Sequence, residues 1–86
     1  MAIILDGKAM TDRVAVHTHL AQRLELPEYY GRNLDALYDV LSELTGEILL
    51  EDSAAVIEQL GRYGESLLAT MREAAEANPG LHVTIK

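Results

Sequence analysis

Two aspartates one helical turn apart, Asp35 and Asp39, are the residues of this 86-residue chain best placed to do chemistry. Carboxylates at that spacing could act as a general acid and base, or share a hard divalent cation. Either use requires burial or further oxygen ligands, and both residues fall on the polar side of the segment that carries them. Glu73 and Glu76 form a second acidic pair beside Arg72 and read as a solvated helix face. His17 lies on the apolar side of its segment with no second ligand three or four residues away, so it reads as a hydrogen-bonded core histidine and not a metal ligand. His19 reads as a surface residue. The chain has no nucleophile elbow, no Gly-rich phosphate loop and no His-x-x-x-His pair, and the absence of cysteine removes thiol chemistry and disulfides. A binding protein is therefore expected and not an enzyme, with no metal or cofactor.

Charge is unevenly spread. The formal net charge is −7, and residues 25–58 hold nine acids against Arg32 alone, whereas the remainder holds five acids and six bases. Such an acidic stretch repels nucleic acid and anionic membrane, and attracts a basic partner at a rate that falls with salt. With no Phe or Trp, the aromatic surface consists of Tyr29, Tyr30, Tyr38 and Tyr63, and three of these flank the two aspartates. Tyrosine suits the margin of a core and a binding face equally well.

The element positioning the aspartates follows from local chemistry. Pro27 keeps Leu26 out of helical angles, Gly31 permits a turn with positive φ, and Asn33 can cap a helix that begins at Leu34. On its wheel Leu34, Ala36, Leu37, Val40, Leu41 and Leu44 share one side. Asp35, Asp39 and Ser42 take the other, with Glu43 at its margin and Tyr38 on the border. A like-charged pair at this spacing costs a helix about 0.2–0.5 kcal/mol, and no cation within the helix offsets it.

The remaining elements alternate. The apolar run Met1 to Leu5 is stopped by Asp6 and has no basic flank or cleavage site of a signal peptide, and Ala2 to Leu5, bounded by Asp6-Gly7, reads as a buried strand. Thr11 is expected to cap a helix whose core stripe is Val14, His17, Leu20, Ala21 and Leu24. Glu47 to Glu51 reads as a second buried strand, and Asp52 or Ser53 can cap a short helix over Ala54 to Leu60, ended by Gly61. Gly64 and Ser66 precede a last helix reaching about Ala77, which Asn78-Pro79-Gly80 stops. Leu81, Val83 and Ile85 then alternate with polar residues, which marks an edge strand. Helical sequence between successive strands, far longer than a hairpin needs, argues for parallel pairing through right-handed crossovers, so residues 1–86 are expected to form one α/β domain: a three-stranded parallel sheet with about four helices.

The stretch Leu26-Pro27-Glu28-Tyr29-Tyr30-Gly31-x-Asn33-Leu34-Asp35-Ala36-Leu37-Tyr38-Asp39 closely resembles the barstar family, intracellular inhibitors of secreted ribonucleases of the barnase type. Weaker similarity runs through Asp6-Gly7, His17, Arg72-Glu73-Ala74 and Val83-Thr84-Ile85. The resemblance implies a barstar-like fold and a cytoplasmic monomer that plugs the cleft of a basic extracellular or toxin-type ribonuclease. It implies that Asp39 meets the enzyme's catalytic cations and Asp35 a further basic group. Tyr29, Gly31 and Asn33 would supply packing and loop hydrogen bonds, Tyr38 the rim, and Glu73 a charge from the last helix, with Ser42 on the same polar face. Position 38 is Tyr where Trp is typical of the family, and no aromatic follows the helix. The alternative reading is a barstar-like module that binds a partner other than a nuclease.

Overall fold

Three apolar runs, each too short for a stable helix, form the strands β1 (Ala2–Asp6), β2 (Gly46–Glu51) and β3 (Leu81–Ile85) in the computed structural model, which describes residues 2–86. The sheet order is β1-β2-β3 with both pairings parallel, Leu5 opposite Leu50 and Leu50 opposite Ile85. Alternation sends Leu5, Ile48, Leu50 and Leu81 into the core. The opposite face holds Ile4, 44% exposed, beside half-buried Leu49 and exposed Thr84. Thus β1 and β2, expected as buried strands, are buried on one face only: the helices leave the other face open. β3 is an edge as expected, and β1 is the second edge.

Four helices complete the architecture expected from the alternation: α1 (Arg13–Arg23), α2 (Leu34–Glu43), α3 (Ser53–Leu60) and α4 (Arg62–Ala77), with one 3₁₀ turn at Gly7–Ala9. The cap of α1 is Asp12, not Thr11, its carboxylate accepting the Ala15 N–H at 2.8 Å. Val14, assigned to the core stripe, is 73% exposed, and Val16, nearer the middle of the buried face, takes its place. Asp52 occupies the cap position of α3 at φ 58° without a side-chain cap bond. Its carboxylate instead lies 4.0 Å from the Lys8 ammonium, the one salt bridge among the described residues.

The last helix starts earlier than Gly64 and Ser66 suggest, leaving Gly61 alone between α3 and α4. Gly64 is buried inside α4 because a Cβ there would lie 2.7 Å from the Val56 carbonyl oxygen of α3. It marks a close approach of two helices, not a break. Side chains including Leu20, Leu37, Leu41, Val56, Leu67 and Met71 join the strand residues in one apolar cluster, and α2 packs along α4. Asn78 ends α4 and reaches across to α2, its Nδ2 donating to the carbonyls of Leu41 (2.9 Å) and Leu44 (2.7 Å). Those carbonyls lie at the C-terminal end of α2, where the Leu44 N–H reaches the Leu41 carbonyl only at 3.4 Å, so the Asn78 amide supplies the shorter bonds.

Candidate binding site

The loop leading into α2 is built against α1. The N–H of Leu24 donates to the Leu20 carbonyl and that of Leu26 to the Ala21 carbonyl, both at 2.9 Å, around Glu25 at φ 53°. This is the six-to-one closure that ends helices through a left-handed residue, here without the usual glycine. The Pro27 carbonyl then accepts the Tyr30 N–H at 3.0 Å, closing a turn that points adjacent tyrosines in opposite directions. Tyr29 is 88% exposed and Tyr30 only 7%.

Tyr30 anchors the loop through His17, which is 2% exposed. The Tyr30 hydroxyl lies 2.8 Å from His17 Nδ1, and the Tyr63 hydroxyl of α4 lies 2.6 Å from Nε2. A neutral imidazole offers one donor and one acceptor, so the two hydroxyls take complementary roles along a Tyr–His–Tyr chain. Burial, with a smaller contribution from Arg32, pushes His17 below the usual histidine range. Burial, assisted by Tyr63, pushes the Tyr30 phenol up to about 12 against the opposing effect of Arg32. Tyr63 is raised by burial against the opposing Arg13 guanidinium, which sits 4.4 Å from the ring centroid. All three groups are thereby favoured in their neutral forms. The expectation of a hydrogen-bonded core histidine holds, while its tyrosine partners, 13 and 46 residues away, had no local signal.

The start of α2 differs from expectation in one respect: the left-handed residue is Arg32, φ 53°, and not Gly31. Gly31 is small for another reason, since a Cβ there would lie 3.1 Å from that of Ala36. Asn33 caps α2 as predicted, with Oδ1 accepting the Ala36 N–H at 2.7 Å and Nδ2 donating to the Gly31 carbonyl at 3.1 Å. Asp35, Asp39 and Glu43 are exposed, while Tyr38 and Ser42 are half-buried. The Ser42 hydroxyl donates to the Asp39 carbonyl at 2.8 Å. Among the described residues, neither Asp35 nor Asp39 has a lysine or arginine within salt-bridge distance.

Two concavities flank α2. One, about 480 Å³, brings Tyr29 and Pro27 of the loop together with Asp39, Ser42 and Glu43. The other, about 420 Å³, contains Asn33 and Asp35 facing Arg13, Val14 and Tyr63, with His17 in its lining. Gly31 and Tyr38 line neither. Glu73 is exposed on α4, the neighbour of α2, and Glu76 borders a separate hollow with Arg72 and His82 beside β3. His19, expected at the surface, is half-buried: its Nε2 accepts the Asp6 N–H at 3.0 Å, and Arg23 Nε donates to the Ile4 carbonyl at 3.0 Å. Together they tie off the outer edge of β1. Burial lowers the His19 pKa, opposed by Asp6 and assisted by Arg23.

Among the described residues no three His, Asp or Glu side chains are grouped to hold a metal ion, and no helix is long and apolar enough to cross a membrane. Exposed carboxylates on a capped helix, beside a presented tyrosine, are suited to charge-assisted hydrogen bonds from a protein's guanidinium or ammonium groups.

The family model described as Barstar (barnase inhibitor) matches residues 1–86. A protein of Bacillus subtilis (strain 168) named "Putative ribonuclease inhibitor YrdF" is 36% identical over 77 residues, covering 86% of this chain and 85% of its own length. The chain belongs to the barstar family. Its four helices and three parallel strands have the barstar-like arrangement, and it is a member of an inhibitor family, not an enzyme.

Proposed function

We propose that this protein is a cytoplasmic, monomeric inhibitor that binds a barnase-type ribonuclease one-to-one and blocks its active site with α2 and the preceding loop. The observation that carries this reading is the pair of exposed carboxylates, Asp35 and Asp39, which pair with no cation among the described residues, on a helix fixed at both ends. Family membership supports the class of partner, and the name of the Bacillus relative agrees with it. In this scheme Asp39 stands in for a substrate phosphate among the enzyme's catalytic cations, and Asp35 meets a further base. Tyr29 stacks beside Asp39, while Gly31, Asn33, Tyr38 and Ser42 complete the contact and Glu73 adds charge from α4.

The test is inhibition of barnase by the wild type and by Asp39→Ala. A charge-assisted hydrogen bond is worth about 1.5–3 kcal/mol, which is roughly ten- to hundredfold in an inhibition constant. The loss at Asp39 should exceed that at Asp35, and association should slow as salt rises. Equal inhibition constants for Asp39→Ala and wild type would defeat the assignment.

A further inference from the structure

The concavity on the Asp35 side of α2 carries charge of the opposite sign to its surroundings. Arg32 is the single base among residues 25–58, and it lines this hollow together with Arg13. Among the described residues neither guanidinium pairs with a carboxylate, although Asp35 borders the same space. Both are nevertheless held in place. Arg13 lies over the Tyr63 ring at 4.4 Å, and Arg32 Nη1 donates to the Thr18 hydroxyl at 3.1 Å from a backbone at φ 53°. Val14, 73% exposed, and half-buried Leu34 give the hollow an apolar wall.

We propose that the Arg13–Arg32 hollow is a second subsite for the same ribonuclease, receiving an acidic side chain that lies beside the enzyme's basic cleft. The proposal rests on the inhibitor reading above and deepens it. Charge complementarity selects the occupant. A uniformly basic partner surface would be drawn to Asp35 and Asp39 but repelled by two fixed guanidiniums in the adjoining hollow, so a matching carboxylate is needed there. A guanidinium presents paired donors to a carboxylate, and the apolar wall takes the aliphatic stem. An acidic subsite on α2 and a basic one between the start of α1 and the loop before α2 then fix the register of docking and disfavour ribonucleases without the acidic group.

Two measurements test this. In the first, the free protein is titrated with benzoate while backbone amide shifts are followed, with benzylamine as the control. Saturable shifts should be confined to Arg13, Val14, Arg32, Asn33 and Asp35, and should vanish in the Arg13→Gln/Arg32→Gln double variant. Absence of saturable shifts, or their survival in that variant, would overturn the subsite. In the second, inhibition of barnase is compared for wild type, Asp39→Ala and the double variant. The double variant should inhibit about tenfold less well, the size of one rim-to-core charged contact. Undiminished inhibition by the double variant, with Asp39→Ala impaired, would overturn the second subsite and leave the cleft-blocking reading standing. Failure of the wild type itself to inhibit would overturn both.

Discussion

Removing a single oxygen from Tyr30 tests whether the Tyr–His–Tyr chain holds the binding loop. In Tyr30→Phe the ring remains in the core, and His17 Nδ1 loses its partner at 2.8 Å in a site 2% exposed to solvent. An unsatisfied buried group costs about 1–3 kcal/mol, so a loss near 1.5 kcal/mol is expected. Unfolding entropy near 2.1 cal/mol/K per residue gives about 0.18 kcal/mol/K for a chain of this length, and the melting temperature should fall by about 8 °C. Thermal unfolding followed by circular dichroism measures the shift. Amide exchange should quicken at Tyr29 to Arg32 beyond the global change, because these residues follow the anchor. Tyr63→Phe should behave similarly, and the double variant should lose less than the sum by about 0.5 kcal/mol or more, since both bonds polarise one ring. A shift below about 2 °C, or strict additivity, would refute the reasoning.

Three further outcomes follow from the same structure. Asn78→Ala deletes two donor bonds to α2 and one acceptor bond to the Gly80 N–H, and should cost about 2–3 kcal/mol in urea unfolding. Glu25→Gly relieves a left-handed non-glycine residue at φ 53° and should raise stability by about 0.5–1 kcal/mol; a loss would show that the Glu25 side chain has a stabilising role. His17 and His19 both have pKa values lowered on folding, so the unfolded chain binds protons more readily below the ordinary histidine value of 6.5. Their stabilisation is complete above that pH and is lost as pH falls through the folded-state values. Urea unfolding at pH 7.5 and 5.5 should therefore show a drop, smaller in His17→Gln/His19→Gln. An equal drop in that variant would refute the assignment to these rings.

The sequence carries the α2 reading well because its signals are local: a cap at Asn33, an apolar stripe, and carboxylates on the opposite side. Strand positions and parallel pairing likewise follow from short apolar runs separated by helical lengths of chain. What it could not supply depended on contacts between distant segments. Gly64 reads as a helix break until α3 is seen crossing at Val56. Gly31 reads as the turn residue, although Arg32 takes the left-handed angle and Gly31 gives clearance to Ala36. Val14 and Val16 are both reasonable core residues, and only the placement of α1 on the sheet decides between them. Residue type leaves Tyr30 open between core margin and binding face, and only its hydrogen bond to His17 places its hydroxyl in the interior. Gly64 and Val14 are decided by elements distant in sequence, whereas Gly31 is decided by Ala36 only five residues on, through a loop geometry that no single residue signals.

The bare side of the sheet separates two kinds of evolutionary freedom. Ile4, Leu49 and Thr84 lie on the side the helices leave uncovered, so exchanges there reach α2 only through the thickness of the domain. Solubility, labelling or attachment to another chain can be adjusted on that side while the carboxylate-bearing helix keeps its angle of presentation.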